Sequence, residues 1–164
     1  MTIEQRVGDA LRERGESVAV AESCTGGLVG SRITDVPGAS DYFDRSYVTY
    51  SYDAKLAELG VPREVIDAEG AVSEPVAEGM ARAARDAAGV AWGVGTTGVA
   101  GPGGGSDEKP VGTVYVAVAH AAPWGTGDSY CSVERYVLDG DRATVKAKTA
   151  ERALEDLLAA VEAA

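Results

Sequence analysis

The segment Val18-Ala19-Val20-Ala21-Glu22-Ser23-Cys24-Thr25-Gly26-Gly27 narrows the folds open to this chain. Its first four residues are uniformly apolar, the pattern of a buried strand. The residues that follow, Leu28-Val29-Gly30-Ser31-Arg32-Ile33-Thr34, continue as a helix, expected over Thr25 to Thr34. A strand that turns straight into a helix is a building unit of α/β proteins. Ser23 falls at that turn. There its hydroxyl is exposed, and the first backbone N–H groups of the helix face a developing negative charge, as acyl transfer or anion binding requires. The same residues also read as a plain N-cap with a Gly-rich turn. The segment alone leaves both readings open.

The rest of the chain keeps up the alternation. Ile3 to Arg14 has apolar residues at Ile3, Val7, Ala10 and Leu11, a helical spacing, and Gly15 stops it. Ser46 to Ser51 reads as a second strand, followed by short helices over Asp53 to Leu59 and Pro62 to Ala68. Ser73 is expected to cap a helix running through Ala88, with Pro75 in its first turn. Ala91 to Thr97 is a third strand, and a long loop runs from Gly98 to Gly112. Strands over Thr113 to His120 and Ser129 to Val137 are joined like a hairpin through Pro123 to Asp128. A helix from Asp141 to Val161 closes the chain. The pattern predicts an α/β fold, a three-layer α/β/α sandwich with a mixed, mostly parallel five-stranded sheet. At 164 residues, a single domain over 1–164 is expected.

Composition removes several functions. The net charge of -11 opposes non-specific nucleic-acid binding, which needs basic surface. No run of 18 apolar residues exists, so no transmembrane helix is expected, and the start lacks a signal-peptide pattern. The expectation is a cytoplasmic protein with no membrane partner. Cys24 and Cys131 form no metal-ligand spacing, and His120 is the only histidine. No metal site is expected. His120 ends an apolar run and reads as structural.

A serine nucleophile needs a base, and with His120 set aside the next candidate is a lysine. Lys55 follows the second strand, in Tyr50-Ser51-Tyr52-Asp53-Ala54-Lys55. In open α/β sheets functional groups gather beyond the carboxyl ends of the strands, where both Ser23 and Lys55 fall. A desolvated lysine with a lowered pKa takes a serine proton, whereas a solvated surface lysine does not. The glycine-rich loop, Gly98-Val99-Ala100-Gly101-Pro102-Gly103-Gly104-Gly105 through Lys109, opens onto the same rim. It allows close backbone approach to a ligand and an anion nest, yet it matches no established nucleotide motif. It is a binding loop of unspecified ligand or a flexible connection. Cys24 beside Ser23 reads as buried and structural.

Taken together, these segments resemble one family closely. Ala21-Glu22-Ser23-Cys24-Thr25-Gly26-Gly27, Tyr50-Ser51 with Lys55, Gly70-Ala71-Val72-Ser73, and Gly98-Val99-Ala100-Gly101-Pro102 through Lys109-Pro110-Val111-Gly112-Thr113 look like the CinA C-terminal domain, the nicotinamide-nucleotide amidase family. The resemblance runs on through Gly140-Asp141-Arg142 into the last helix. It implies hydrolysis of the carboxamide of nicotinamide mononucleotide, with no cofactor and no metal. By motif, Ser23 is the nucleophile and Lys55 its general base. Tyr50 and Thr97 are expected to orient Lys55 or the carboxamide, and the N–H groups of Thr25, Gly26 and Gly27 to hold the oxyanion. Gly98, Gly101, Gly103, Gly104, Gly105, Lys109 and Arg142 are expected to bind substrate and its phosphate, with Arg45 either a third cationic candidate or a solvated charge. The resemblance further implies a nucleotide as the small-molecule partner and a homo-oligomer, a dimer or higher. Because Met1 starts at the domain itself, the molybdopterin-binding-like domain of longer members is expected to be absent.

Three places depart from the family pattern. Tyr52-Asp53 stands where asparagine is frequent, and a carboxylate at Asp53 is expected to raise the Lys55 pKa. Gly95-Thr96-Thr97 replaces a stretch richer in serine or isoleucine. Lys146 and Lys148 stand where arginines are common, which matters if those positions touch phosphate. A different class of function competes with the enzyme: a nucleotide-binding or competence-related regulatory module without catalysis. An amidase acting on another carboxamide shares every residue above.

Overall fold

The computed structural model describes residues 1–164. Five strands form one sheet in the order β2-β1-β3-β4-β5: β1 (Val18–Glu22), β2 (Phe43–Val48), β3 (Trp92–Gly98), β4 (Thr113–His120) and β5 (Tyr130–Val137). β1 pairs parallel with both β2 and β3, while β4 runs antiparallel to β3 and to β5. β4 alone is therefore reversed, which gives the mixed, mostly parallel sheet expected from the alternation of elements. The carboxyl ends of β1, β2 and β3 share one edge of the molecule.

Helices cover both faces. Along β1 successive side chains point to opposite layers. Val18 and Val20 enter the core beneath α1 (Ile3–Arg14), α2 (Leu28–Thr34) and α6 (Arg142–Ala163), packing with Leu11, Ile33, Leu154 and Leu157. Ala19 and Ala21 enter the opposite core with Val76 and Met80 of α5 (Glu74–Ala88), and α3 (Tyr52–Leu59) and α4 (Arg63–Glu69) close that side. Each fully buried valine or leucine contributes about 1.5–3 kcal/mol of transfer free energy. Small residues set how close α5 comes. A Cβ on Gly95 of β3 would stand 2.6 Å from the Ala77 carbonyl oxygen, and one on Gly93 would stand 2.1 Å from that of Ala81. This close approach draws the segment before α5, Gly70 to Ser73, toward the carboxyl edge of the sheet.

Several boundaries differ from the sequence reading. α2 starts at Leu28 rather than Thr25, because Gly26 (φ +59°) and Gly27 (φ +103°) are left-handed and cannot belong to a right-handed helix. β2 ends at Val48 rather than Ser51. Ser51 leaves the sheet to cap α3, its side chain accepting from Ala54 N at 3.0 Å. Ser73 holds the N-cap position of α5, but its hydroxyl turns back to donate to the Gly70 carbonyl at 2.8 Å and does not cap the helix. β4 and the hairpin into β5 lie where the sequence placed them. No helix is long and apolar enough to cross a membrane.

Candidate active site

Ser23 is the first residue beyond β1, held in place by its N–H on the Thr96 carbonyl of β3 at 3.0 Å. Lys55 lies in the first turn of α3, and its side chain runs inward instead of out to water, leaving the residue fully buried. The Ser51 cap fixes where α3 begins, and so where Lys55 points. The Lys55 Nζ donates to Ser23 Oγ at 2.8 Å and to the Thr49 carbonyl at 2.5 Å. Burial pushes the Lys55 pKa down from 10.5 to about 8, and no carboxylate opposes that shift. The expectation for Asp53 fails on geometry: its side chain is almost fully exposed and stands 3.8 Å from Arg63. Lys55 is thus a lysine whose neutral form is accessible near physiological pH, touching a serine hydroxyl.

The turn after Ser23 is built by Glu22. This carboxylate is completely buried and has no cation beside it. Its charge is met by hydrogen bonds instead. One oxygen accepts from the Thr25 hydroxyl at 2.7 Å, Gly27 N at 3.1 Å and Val29 N at 2.9 Å, and the other accepts from Gly30 N at 3.0 Å. Glu22 therefore does for α2 what an N-cap side chain usually does, from a residue five positions before the cap. The Thr25 hydroxyl also meets the Thr96 hydroxyl at 2.9 Å, which ties the turn to β3.

This arrangement corrects the expected oxyanion donors. The N–H of Gly27 is bound to Glu22, and that of Gly26 to the Ser23 carbonyl at 3.0 Å. The N–H groups of Cys24 and Thr25 have no acceptor in the protein. They are the free donors next to Ser23. The Cys24 side chain is buried, and burial pushes its thiol up to about 11, so it stays protonated at neutral pH, in line with a structural cysteine.

Tyr50 and Thr97, expected to orient Lys55 or the carboxamide, hold hydrogen bonds of their own at this edge. Tyr50 lies beyond the end of β2, is largely exposed, and its hydroxyl accepts from Arg142 Nη2 at 2.7 Å. The Thr97 hydroxyl donates to the Ala71 carbonyl at 2.8 Å and ties β3 to the segment before α5. Neither hydrogen-bonds Lys55, whose ammonium is held by Ser23 and the Thr49 carbonyl. The Thr49 carbonyl orients it instead, and a backbone group carries no side-chain signal in a sequence. Gly98 ends β3 packed on Val114. Gly103, Gly104 and Gly105 line an exposed loop anchored at both ends: Arg142 Nη1 donates to the Gly101 carbonyl at 2.7 Å, and Lys109 Nζ donates to the Glu69 carbonyl at 2.8 Å. Arg142 thus joins the loops after β2 and β3 to the start of α6. Arg45 is exposed and pairs with Asp44, a solvated charge. His120 stacks on Trp92 with ring centroids 4.2 Å apart, at the opposite end of the sheet from Ser23. A surface concavity of about 640 Å³ between Arg85 and the β4–β5 hairpin also lies at that far end.

Comparison with known proteins places this site in context. The family model of the CinA C-terminal domain matches residues 1–161. A CinA-like protein of Chlorobaculum tepidum is 52% identical over 158 residues, which cover 96% of this chain and 37% of that protein. A putative competence-damage inducible protein of Symbiobacterium thermophilum is 49% identical, over 93% of this chain and 36% of its own length. The chain spans little more than a third of these curated relatives. Among solved structures, the competence/damage inducible protein CihA of Agrobacterium tumefaciens has a TM-score of 0.89 at 37% identity, covering 96% of this chain and 92% of that one. A CinA superfamily protein of Escherichia coli has a TM-score of 0.83 at 33% identity, covering 96% and 89%.

Proposed function

Since the chain belongs to the CinA C-terminal domain family, we propose that it is a serine–lysine amidohydrolase that converts nicotinamide mononucleotide to nicotinate mononucleotide and ammonia. The observation that carries this reading is the 2.8 Å contact between the buried Lys55 Nζ and Ser23 Oγ. A structural lysine gains little by being buried with no carboxylate beside it, and a lysine with its pKa near 8 is what a serine needs as a base.

The steps follow from the contacts. Neutral Lys55 keeps one N–H on the Thr49 carbonyl, which aims its lone pair at the Ser23 hydroxyl. As Ser23 Oγ bonds to the carboxamide carbon, its proton moves to Lys55. The carbonyl oxygen becomes an oxyanion, and the N–H groups of Cys24 and Thr25 receive it; one such donor contributes roughly 3 kcal/mol to lowering the barrier. The C–N bond then breaks as the Lys55 ammonium protonates the leaving nitrogen, releasing ammonia and leaving an ester on Ser23. Water attacks the ester with Lys55 as base, and the proton returns to Ser23 with release of the carboxylate. Glu22 fixes the turn that holds nucleophile and donors together, so no donor has to reorganise during the reaction.

Ammonia release from nicotinamide mononucleotide by the purified protein tests this directly. The reading expects one ammonia for each nicotinate mononucleotide formed. Folded protein that binds the nucleotide and leaves it unchanged supports the nucleotide-binding module instead.

A further inference from the structure

Three of the four lysines donate hydrogen bonds within the protein. Lys55 donates to Ser23 and Thr49, Lys109 to Glu69, and Lys148 to the Asp139 carbonyl. Lys146 is the exception. It is partly buried, yet it makes neither a hydrogen bond nor an ion pair, in a chain with 26 acidic residues. Its position is specific. A Cβ placed on Gly26 would lie 3.9 Å from Lys146 Nζ, so the ammonium overhangs the turn that follows Ser23. The Cys24 thiol senses the charges of both Lys55 and Lys146. Val145, the residue before, is locked in a small core with Ala100 and Val114, which fixes the rotation of α6 at this point. Arg142, one helical turn earlier, lies along the same side of α6 and grips the glycine loop and Tyr50.

We propose that Lys146 is the anion-recognition residue of this site, receiving the phosphate of a nucleotide whose carboxamide lies at Ser23. A cation held at a reaction site without a protein counter-charge is completed by a charged ligand. Of the cations expected at the phosphate, Lys109 is committed to the Glu69 carbonyl, whereas Arg142 already lies at the start of α6, one turn before Lys146. The proposal rests on the amidase reading for the direction in which the ligand lies, but anion binding at Lys146 does not itself need turnover.

Binding is measured by calorimetry in Ser23→Ala protein, which separates it from chemistry. The probes are nicotinamide mononucleotide, its dephosphorylated nucleoside, and inorganic phosphate. The mononucleotide is expected to bind more tightly than the nucleoside. Lys146→Ala weakens the mononucleotide by about 10- to 100-fold, as loss of a charge-assisted contact does, and leaves the nucleoside unchanged. Lys146→Arg restores most of the difference. Equal weakening of both ligands, an unchanged ratio, or no binding of mononucleotide and phosphate at all overturns the proposal. Failure of the amidase reading shows separately, as wild-type protein that binds phosphate through Lys146 and releases no ammonia.

Discussion

Lys55 and Ser23 meet at 2.8 Å although they come from different elements, one from the first turn of α3 and the other from the end of β1. Parallel pairing of β1 with β2 puts their carboxyl ends side by side. The Ser51 cap then turns the chain back so that Lys55 faces inward. The contact therefore depends on a strand register and a helix cap, and both are open to test.

Activity is expected to follow the protonation of Lys55. Its neutral form is the base, and its pKa is lowered to about 8 by burial. Below that pH, kcat/KM falls about tenfold per unit, and above it the profile levels off. A rate profile from pH 6 to 10 checks this. A profile flat across pH 7 to 9 removes Lys55 as the base.

The same shift has a stability consequence. The folded state resists protonation of Lys55, since its pKa drops from 10.5 to about 8. That cost is fully present below the folded value and disappears as pH rises past the unfolded one. Relative to Lys55→Met, the wild type should gain up to about 3 kcal/mol between pH 7.5 and 10.5. Denaturant unfolding of both proteins across that range measures the difference. A constant difference contradicts the buried, shifted lysine.

Glu22 should matter for both folding and rate. Glu22→Ala leaves three backbone N–H groups and the Thr25 hydroxyl without their acceptor, and is expected to destabilise by about 3–5 kcal/mol. Glu22→Gln keeps the shape and one acceptor oxygen. It should fold, bind nucleotide nearly as well, and lose mainly kcat, because the Cys24 and Thr25 donors are then less firmly held. Steady-state kinetics decide, and a change confined to KM opposes the positioning role.

Gly95→Ala tests how α5 is seated. Its new methyl would meet the Ala77 carbonyl oxygen at 2.6 Å, a backbone atom that cannot step aside. A loss of about 1–3 kcal/mol is expected, read from the unfolding midpoint. Unchanged stability would show that α5 does not lie against β3 as described.

The fold was legible because its signals are local. The uniform apolar run Val18–Ala21, the stop at Gly15 and the hairpin after His120 each act within a few residues. Ser23 and Lys55 were legible as a pair because both follow strands that end on one rim. What stayed hidden depends on partners distant in sequence or on backbone atoms. Glu22 reads as an ordinary acid until the N–H groups of α2 are placed around it. The Thr49 carbonyl that orients Lys55 belongs to no motif. The β-favouring residues Tyr47, Val48 and Thr49 extend the apparent strand past the point where Ser51 turns the chain, so the sequence reads Tyr50 as part of β2. A place at a helix start points to Gly26 and Gly27 as donors, and only the completed turn shows their N–H groups already taken.

The central claim is that Ser23 and Lys55 act as one catalytic unit. The most direct measurement is ammonia release from nicotinamide mononucleotide by wild type, Ser23→Ala, Lys55→Ala and the double variant, each shown to be folded. The account predicts a loss of about 10³-fold or more in either single variant, and little further loss in the double, since residues acting as a unit are not additive. Substantial turnover by folded Ser23→Ala, or losses that multiply in the double variant, would contradict it.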